Sequence, residues 1–367
     1  MISSYNIDKE LQRILRPLNF ILKLFGTPKY RIQNGRNIPI DKKSLTIWFL
    51  TVIIASVYCS VCSVNNRRSK YNMLNFVNVT YDFFLCFGYT ISLIGELSNR
   101  QNNCSIIILF HKIHRSIKFS KEIQTLVVWI WFHTFTTVFY GFIVVVILHI
   151  IYTDMLLIGV ICDSAYMTFD LNLVYAISIL MLLNKYMDEW VKSVLMFNEE
   201  QEDGDNMDCQ HLLETYLDIM KAYNLYKKIF RILVLYYSVD TFFRTVTYVE
   251  RQKNICFIFF VFYLQPAMSI LTFIALIKNM YLLTLHVVNC EIFYEKVDET
   301  SMVCTQLMKN LESSNNQIDL YKKVLQTNFT FTKMTACGLF YIDATLPISL
   351  LLLTTNYVIV LLQFAFL

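Results

Sequence analysis

Apolar residues in this chain gather into runs of about twenty, not into the stripes of an amphipathic surface helix or the alternation of a strand. A helix of about twenty apolar residues crosses a bilayer core of about 30 Å. Such runs fall at roughly 45–64, 74–97, 126–152, 160–183, 229–249, 255–277 and 339–366, and they predict seven transmembrane helices. Asp163 and Asp170 interrupt the first half of the fourth run, which leaves room for a later start there. Two segments between runs, 184–228 and 278–333, keep a helical period. In the second, Met302, Leu307, Met308, Leu311, Ile318 and Leu320 recur in loose steps of three and four. These read as helical extensions beyond the membrane. The acidic stretch 199–206 reads as a solvated turn. With no flexible linker and no internal repeat, the expectation is one all-α, seven-helix integral membrane domain over 1–367. It comprises an N-terminal segment (1–44), six spans with their loops (45–333) and a seventh helix (334–367).

Composition agrees with that class. Charged residues make up 16% of the chain, against about 25% in soluble domains. Their placement predicts orientation. With the N-terminus in the cytosol, 25 Lys and Arg fall in the inner segments and five in the outer loops, the asymmetry of the positive-inside rule. The five are Arg67, Arg68, Lys70, Arg251 and Lys253. The expectation is therefore a cytosolic N-terminus and an extracellular C-terminus. Nine bases and no short apolar stretch with a small-residue cleavage site precede Leu45, so the first run is expected to act as an uncleaved signal anchor. The basic residues follow membrane topology, and no nucleic-acid partner is expected. The sequons at Asn78, Asn103 and Asn328 fall in the second span or on the cytosolic side, and no glycosylation is expected at them.

Signatures of catalysis are missing from the sequence. The chain has no HExxH, no phosphate-binding loop, no GxSxG and no paired carboxylates with an adjacent base. His133 and His149 lie about 160° apart around one helix and cannot face a single cofactor. Cys59 and Cys62 form a CxxC inside an apolar run, where small side chains pack. The expectation is no enzyme, no cofactor and no metal site. A G-protein-coupled receptor would have the opposite orientation, and the third run lacks that family's closing acidic-Arg-aromatic triplet.

The seventh run carries a pattern of its own. Ser349, Asn356 and Gln363 are spaced by seven, which keeps them within about 20° per step of one line. Leu353 and Val360 fall between them. Polar groups inside a bilayer face protein or water, so this stripe is either a helix–helix contact or a pore wall. Tyr357, five apolar residues (358–362), and then Gln363 and Phe364 resemble the closing signature of insect gustatory receptors. The run from Ala336 to Phe340 with Asp343 resembles what precedes the last helix in that family. Asn356 stands where the family signature has Thr.

The resemblance implies a chemosensory receptor acting as a ligand-gated, non-selective cation channel in the plasma membrane of gustatory neurons. Four subunits, as a homo- or heterotetramer, would surround one pore walled by Ser349, Leu353, Asn356, Val360 and Gln363, with Gln363 and Phe364 at the outer gate. The ligand would be a small-molecule tastant. The permeant ions would be monovalent cations, with divalent ones a further candidate, and lipid the remaining partner. Sugar-sensing members tend to carry an acidic residue after the signature Tyr. Val358 is apolar, which leans toward the group for bitter or plant compounds. Ligand contacts are expected from polar or aromatic residues in the outer halves of spans two to six: Tyr81, Asp82, His149, Tyr166, Asp170, Asp240, Arg244, Tyr248 and Gln265. Asp240 and Arg244 are four apart and are expected to pair. An odorant-receptor-type subunit is the alternative, and a transporter a more distant one.

Overall fold

The protein is described from a computed structural model covering 9–25, 27–33, 36–39, short stretches between 41 and 57, 73–117, 123–151, 157–199, 206–258, 265–309 and 314–366. The described residues are almost wholly helical. Helix α1 (Lys9–Leu24) leads into a small antiparallel hairpin, β1 (Arg31–Gln33) and β2 (Arg36–Ile38), in which Ile32 pairs with Asn37. Then follow α2 (Leu45–Ile54), α3 (Met73–Ser116), α4 (Ile123–Ile151), α5 (Leu157–Glu199), α6 (Asn206–Ile258), α7 (Gln265–Met308), α8 (Asn315–Phe329) and α9 (Thr345–Phe366). The hairpin is a small exception to the all-α expectation.

Four of these helices have 43 or more residues, over 60 Å at 1.5 Å per residue and about twice a bilayer core. Each outruns its hydrophobic band, as the helical period of the connecting segments predicts. Helix α5 is the centre of the bundle: Phe169, Leu173, Ala176, Leu180 and Leu183 are buried along it, and α4, α6 and α7 pack around it. Helix α4 is apolar on all sides but half exposed. Val128, Phe132, Phe135, Phe139 and Phe142 recur at helical spacing on its outer face and lie 56–66% exposed. A stripe of large apolar side chains this long fits a hydrocarbon surrounding. Among the described residues three segments, Gln124–Val144, Met167–Phe197 and Phe273–Met308, are long and apolar enough to cross a membrane, with α2 and the first part of α9 shorter apolar helices.

The structure moves three boundaries of the hydropathy reading. Helix α6 continues through Ile258 and α7 begins at Gln265, so the sixth run, set at 255–277, starts about ten residues too early. Residues 339–344 lie outside α9, which begins at Thr345. Helix α5 begins at Leu157, before Asp163. The first 44 residues also hold an unanticipated helix. In α1, Leu11, Ile14, Leu15, Leu18, Ile21 and Leu22 are buried while Arg13, Arg16 and Lys23 face out, an amphipathic pattern that seats it on α4 and α5.

At the end of the bundle that carries α8, an aromatic core ties the long helices together. Tyr223 stacks on Phe293 with ring centroids 4.4 Å apart, and Trp190 lies 4.6 Å from Tyr216. The Trp190 indole donates to the Leu212 carbonyl at 2.8 Å. The hydroxyl of Tyr216 donates to Asn328, whose amide in turn donates to Ser301 Oγ at 2.8 Å. Ser314 caps α8 through a reciprocal box with Gln317. Asn328 is thus committed to internal contacts, and Asn103 is 1% exposed. Neither presents its amide to glycosylation.

Candidate functional site

Inside the bundle, α5, α6 and α7 bring four charges together. Asp170 on α5 accepts a hydrogen bond from the Tyr237 hydroxyl at 3.1 Å and pairs with the Lys278 ammonium on α7. Tyr237 also reaches Asn279 Oδ1 at 3.4 Å, and the ring of Tyr140 lies 5.1 Å from Lys278 Nζ. One turn along α6, Arg244 Nε sits 2.7 Å from Asp240 Oδ2. Asp170, Asp240 and Arg244 are all buried. Two carboxylates against two bases give a neutral set, the condition under which charge is tolerated at depth. The spacing-based pairing of Asp240 with Arg244 is observed.

Lys278 is the residue that the sequence misplaces. Counted among the bases of the inner segments, it instead pairs with Asp170 inside the bundle, because the helix of the sixth run begins at Gln265, about ten residues later than that run. Of the residues expected to touch ligand, Asp170, Asp240 and Arg244 meet in this one region. The side chains of Tyr81, Asp82, His149, Tyr166, Tyr248 and Gln265 lie outside the described residues. His133 is buried, stacked on Trp129 with centroids 5.3 Å apart and near Tyr281, which accounts for it without a ligand. Among the described residues no cluster of three or more His, Cys, Asp or Glu is arranged to hold a metal.

Helix α9 stands at the side of this core and touches α6 and α7. Its root is a tight turn. Cys337 and Gly338 adopt positive φ (54° and 80°), the Ala336 amide donates to the Phe340 carbonyl, and the Ile342 amide donates back to Met334. Helix α7 clamps both flanks: the Tyr294 hydroxyl accepts from the Met334 amide and donates to the Ile342 carbonyl, both at 3.1 Å. Glu291 accepts from the Ala344 amide at 3.0 Å. Asp343 then accepts from the Thr345 amide and hydroxyl, opening the helix. The run from Ala336 to Asp343 is therefore a clamped turn whose glycine occupies a left-handed position.

Beyond the root, α9 packs through one face only. Leu350 is buried and Leu346, Pro347, Thr354 and Val358 are half-buried. Ser349, Leu353, Asn356, Val360 and Gln363 are all exposed, on a face turned about 130° from the packed one at 100° per residue. Tyr357 lies between the two faces, its ring 5.2 Å from Phe242 of α6 and edge-on to it. Phe242 is two residues from Asp240 and two from Arg244. Phe364 belongs to α9, but its side chain lies outside the described residues.

The model of the 7tm chemosensory receptor family matches residues 15–367. The chain belongs to that family. No curated protein matches it in sequence. Among solved structures it is similar to the insect olfactory receptor OR5 from Machilis hrabei, with a TM-score of 0.66 at 11% identity over 97% of this chain and 100% of that one. The same receptor in complex with eugenol gives a TM-score of 0.65 at 12% identity with the same coverage. At such identity the likeness is one of fold. Within the 7tm chemosensory receptors, the clamp on residues 334–345 and the exposed stripe of α9 are features of this chain's own geometry.

Proposed function

We propose that this chemosensory receptor is the subunit of a tetrameric, ligand-gated, non-selective cation channel. It spans the plasma membrane of a sensory neuron seven times, with its N-terminus inside and its C-terminus outside. The observation that carries this reading is the exposed face of α9. Asn356 and Gln363 left toward hydrocarbon would each cost on the order of 2–7 kcal/mol without a hydrogen-bond partner. Water in a shared pore satisfies them, and the packed face is already occupied by α6 and α7. Ser349, Leu353, Asn356, Val360 and Gln363 then line the pore, with Gln363 and Phe364 at its outer gate. No carboxylate stands on the stripe, so cations pass without strong discrimination.

Ligand reaches the pore through α6. A small molecule between the helices that carry Asp170, Asp240 and Arg244 shifts α6, and the Phe242–Tyr357 contact transmits the shift to α9. The further ligand contacts proposed are Tyr81, Asp82, His149, Tyr166, Tyr248 and Gln265. The terminal signature favours a tastant of bitter or plant origin. The overall likeness to an olfactory receptor supports an odorant-receptor-type subunit as the second reading.

Whole-cell recording in cells whose G-protein signalling is blocked tests the channel reading. Ligand-evoked current persists, and Gln363→Ala changes its reversal potential or its open probability. Current that vanishes with G-protein block, or a Gln363→Ala channel identical to the parent, would overturn the pore assignment. A panel of tastants and odorants on the same cells separates the two sensory readings.

A further inference from the structure

Helix α1 has two faces. Its aliphatic face is seated on α4 and α5. On the opposite side Arg13, Arg16, Phe20, Lys23 and Leu24 are exposed, within an arc of about 100°. Bases alone there would read as a solvated face. Phe20 and Leu24, one turn apart among those bases, are 57% and 64% exposed. Large apolar side chains flanked by Arg and Lys are the composition of a helix that lies at a membrane surface. Its apolar groups enter the acyl boundary and its bases meet the headgroups.

Two connections set the level of α1 in the bundle. Lys29, just past the helix, pairs with Glu96 of α3, and Glu96 stands at the end of the second apolar run (74–97). Lys42 and Lys43 are exposed and precede α2, where the first run begins. The first run starts, and the second ends, on the same side of a bilayer. The segment from α1 to the base of α2 therefore stands at one membrane boundary. Beyond it Ile47, Leu50 and Ile54 of α2, at i, i+3 and i+7, are 65%, 48% and 67% exposed, a stripe suited to hydrocarbon.

The charge at this boundary is one-sided. From Leu11 to Leu50 the chain holds eight Lys and Arg against one acid, Asp41. Lys29 is taken up by Glu96. Arg13, Arg16, Lys23, Arg31, Lys42 and Lys43 are exposed, and among the described residues none of them has an ion-pair partner.

We propose that the outer face of α1, with Lys42 and Lys43 at the base of α2, binds anionic phospholipid headgroups of the bilayer. Arg13, Arg16 and Lys23 meet the phosphates, and Phe20 and Leu24 enter the acyl boundary. An acidic protein would match the charge as well. The bilayer is favoured because the face stands at the level where the apolar stripe of α2 begins, and because α1 packs on α4, whose phenylalanine stripe also faces outward. Such binding presupposes the seven-span membrane reading, in which this side is the cytosolic leaflet, the one rich in anionic lipid. It does not depend on whether the protein conducts ions.

Photolabelling in nanodiscs tests this. The purified full-length protein is reconstituted in phosphatidylcholine doped with diazirine-tagged phosphatidylserine or, in a second set, with diazirine-tagged phosphatidylcholine. Peptide mapping is expected to find several-fold more label from the serine lipid within 13–24, while the α4 stripe at 128–142 takes equal label from both. Raising the salt to about 1 M, where the Debye length is about 3 Å, removes most of the preference. The combined Arg13→Gln, Arg16→Gln and Lys23→Gln variant removes it at low salt, and Lys322→Gln with Lys323→Gln on α8 leaves it intact. Should the triple variant fail to elute as native protein, the salt series on the parent decides. Equal label from both lipids within 13–24, or a preference indifferent to salt or to the three substitutions, overturns the site and leaves the face to a protein partner. An α4 stripe labelled by neither lipid overturns the membrane reading itself.

Discussion

Lys278 shows how strongly one side chain depends on its partner inside this bundle. Its ammonium is held by Asp170 and lies against Tyr140. Removing it strands a buried carboxylate with the Tyr237 hydroxyl as its remaining close donor among the described residues. Breaking a buried pair from one side costs about 3–5 kcal/mol, whereas replacing both members by uncharged groups is often neutral. Lys278→Met is therefore expected to lower the unfolding midpoint of the detergent-solubilised protein sharply. Combined with Asp170→Asn it should recover most of the loss. A double variant no more stable than the single one would show that the two charges are not coupled. Only half of this network was legible in the sequence. Asp240 and Arg244 announce themselves by i, i+4 spacing on one helix. Asp170 and Lys278 stand 108 residues apart, and a base that closes an apolar run looks like a loop residue until the helix boundary is known.

Hydropathy finds the middle of a helix better than its ends, and this chain shows why. A membrane run stops where polar residues begin, but the backbone hydrogen-bond ladder has no reason to stop there. It continues wherever an amphipathic face can bury itself, as α3, α5, α6 and α7 do toward the α8 end. Helix α1 was missed for a related reason: nine bases in the first 43 residues masked a period of six buried aliphatic positions. At the root of α9 the motif was visible but its geometry was not, because nothing in the sequence says that Ala336–Asp343 turns through two left-handed residues clamped by Tyr294 and Glu291. The turn makes a prediction at this scale. Gly338 sits at φ 80°, where an L-residue costs about 1–2 kcal/mol. Gly338→Ala leaves open space around the new methyl, so the cost is one of backbone alone. It should lower the thermal midpoint slightly and shift the ligand dose–response, since the same turn sets where α9 begins. Gly338→Asn, which tolerates the left-handed region, should fall between Ala and the parent. Equal behaviour of all three would mean that the turn is not a fixed point.

On the scale of the whole molecule, exposed apolar surface falls into two kinds. The stripe along α4 lies on a helix long enough to cross the membrane and needs only lipid. Phe329, Leu339 and Tyr341 are different: they are 92%, 72% and 60% exposed and lie around the end of α8 and the turn before α9. That end of the bundle is rich in charged surface, including Lys322, Lys323, Lys333 and Asp319. Large apolar side chains grouped on a surface of that kind mark an interaction site, and a ring of subunits around α9 would bring this region of one copy against the next. The paired substitution Phe329→Glu and Leu339→Glu is therefore expected to shift the solubilised protein from tetramer to monomer in mass photometry. Its helical content and the pairing of Tyr216 with Asn328 should stay intact, because both substituted side chains point away from the core. The exposed stripe of α9 supplies the control. If the proposed pore is right, Gln363→Ala should alter conduction while leaving the mass distribution unchanged, since a pore-facing amide would meet water and not a neighbouring subunit. A tetramer that survives the two glutamates, or that dissociates on loss of Gln363, would mean that the subunits meet through the α9 stripe and that the stripe is a helix contact.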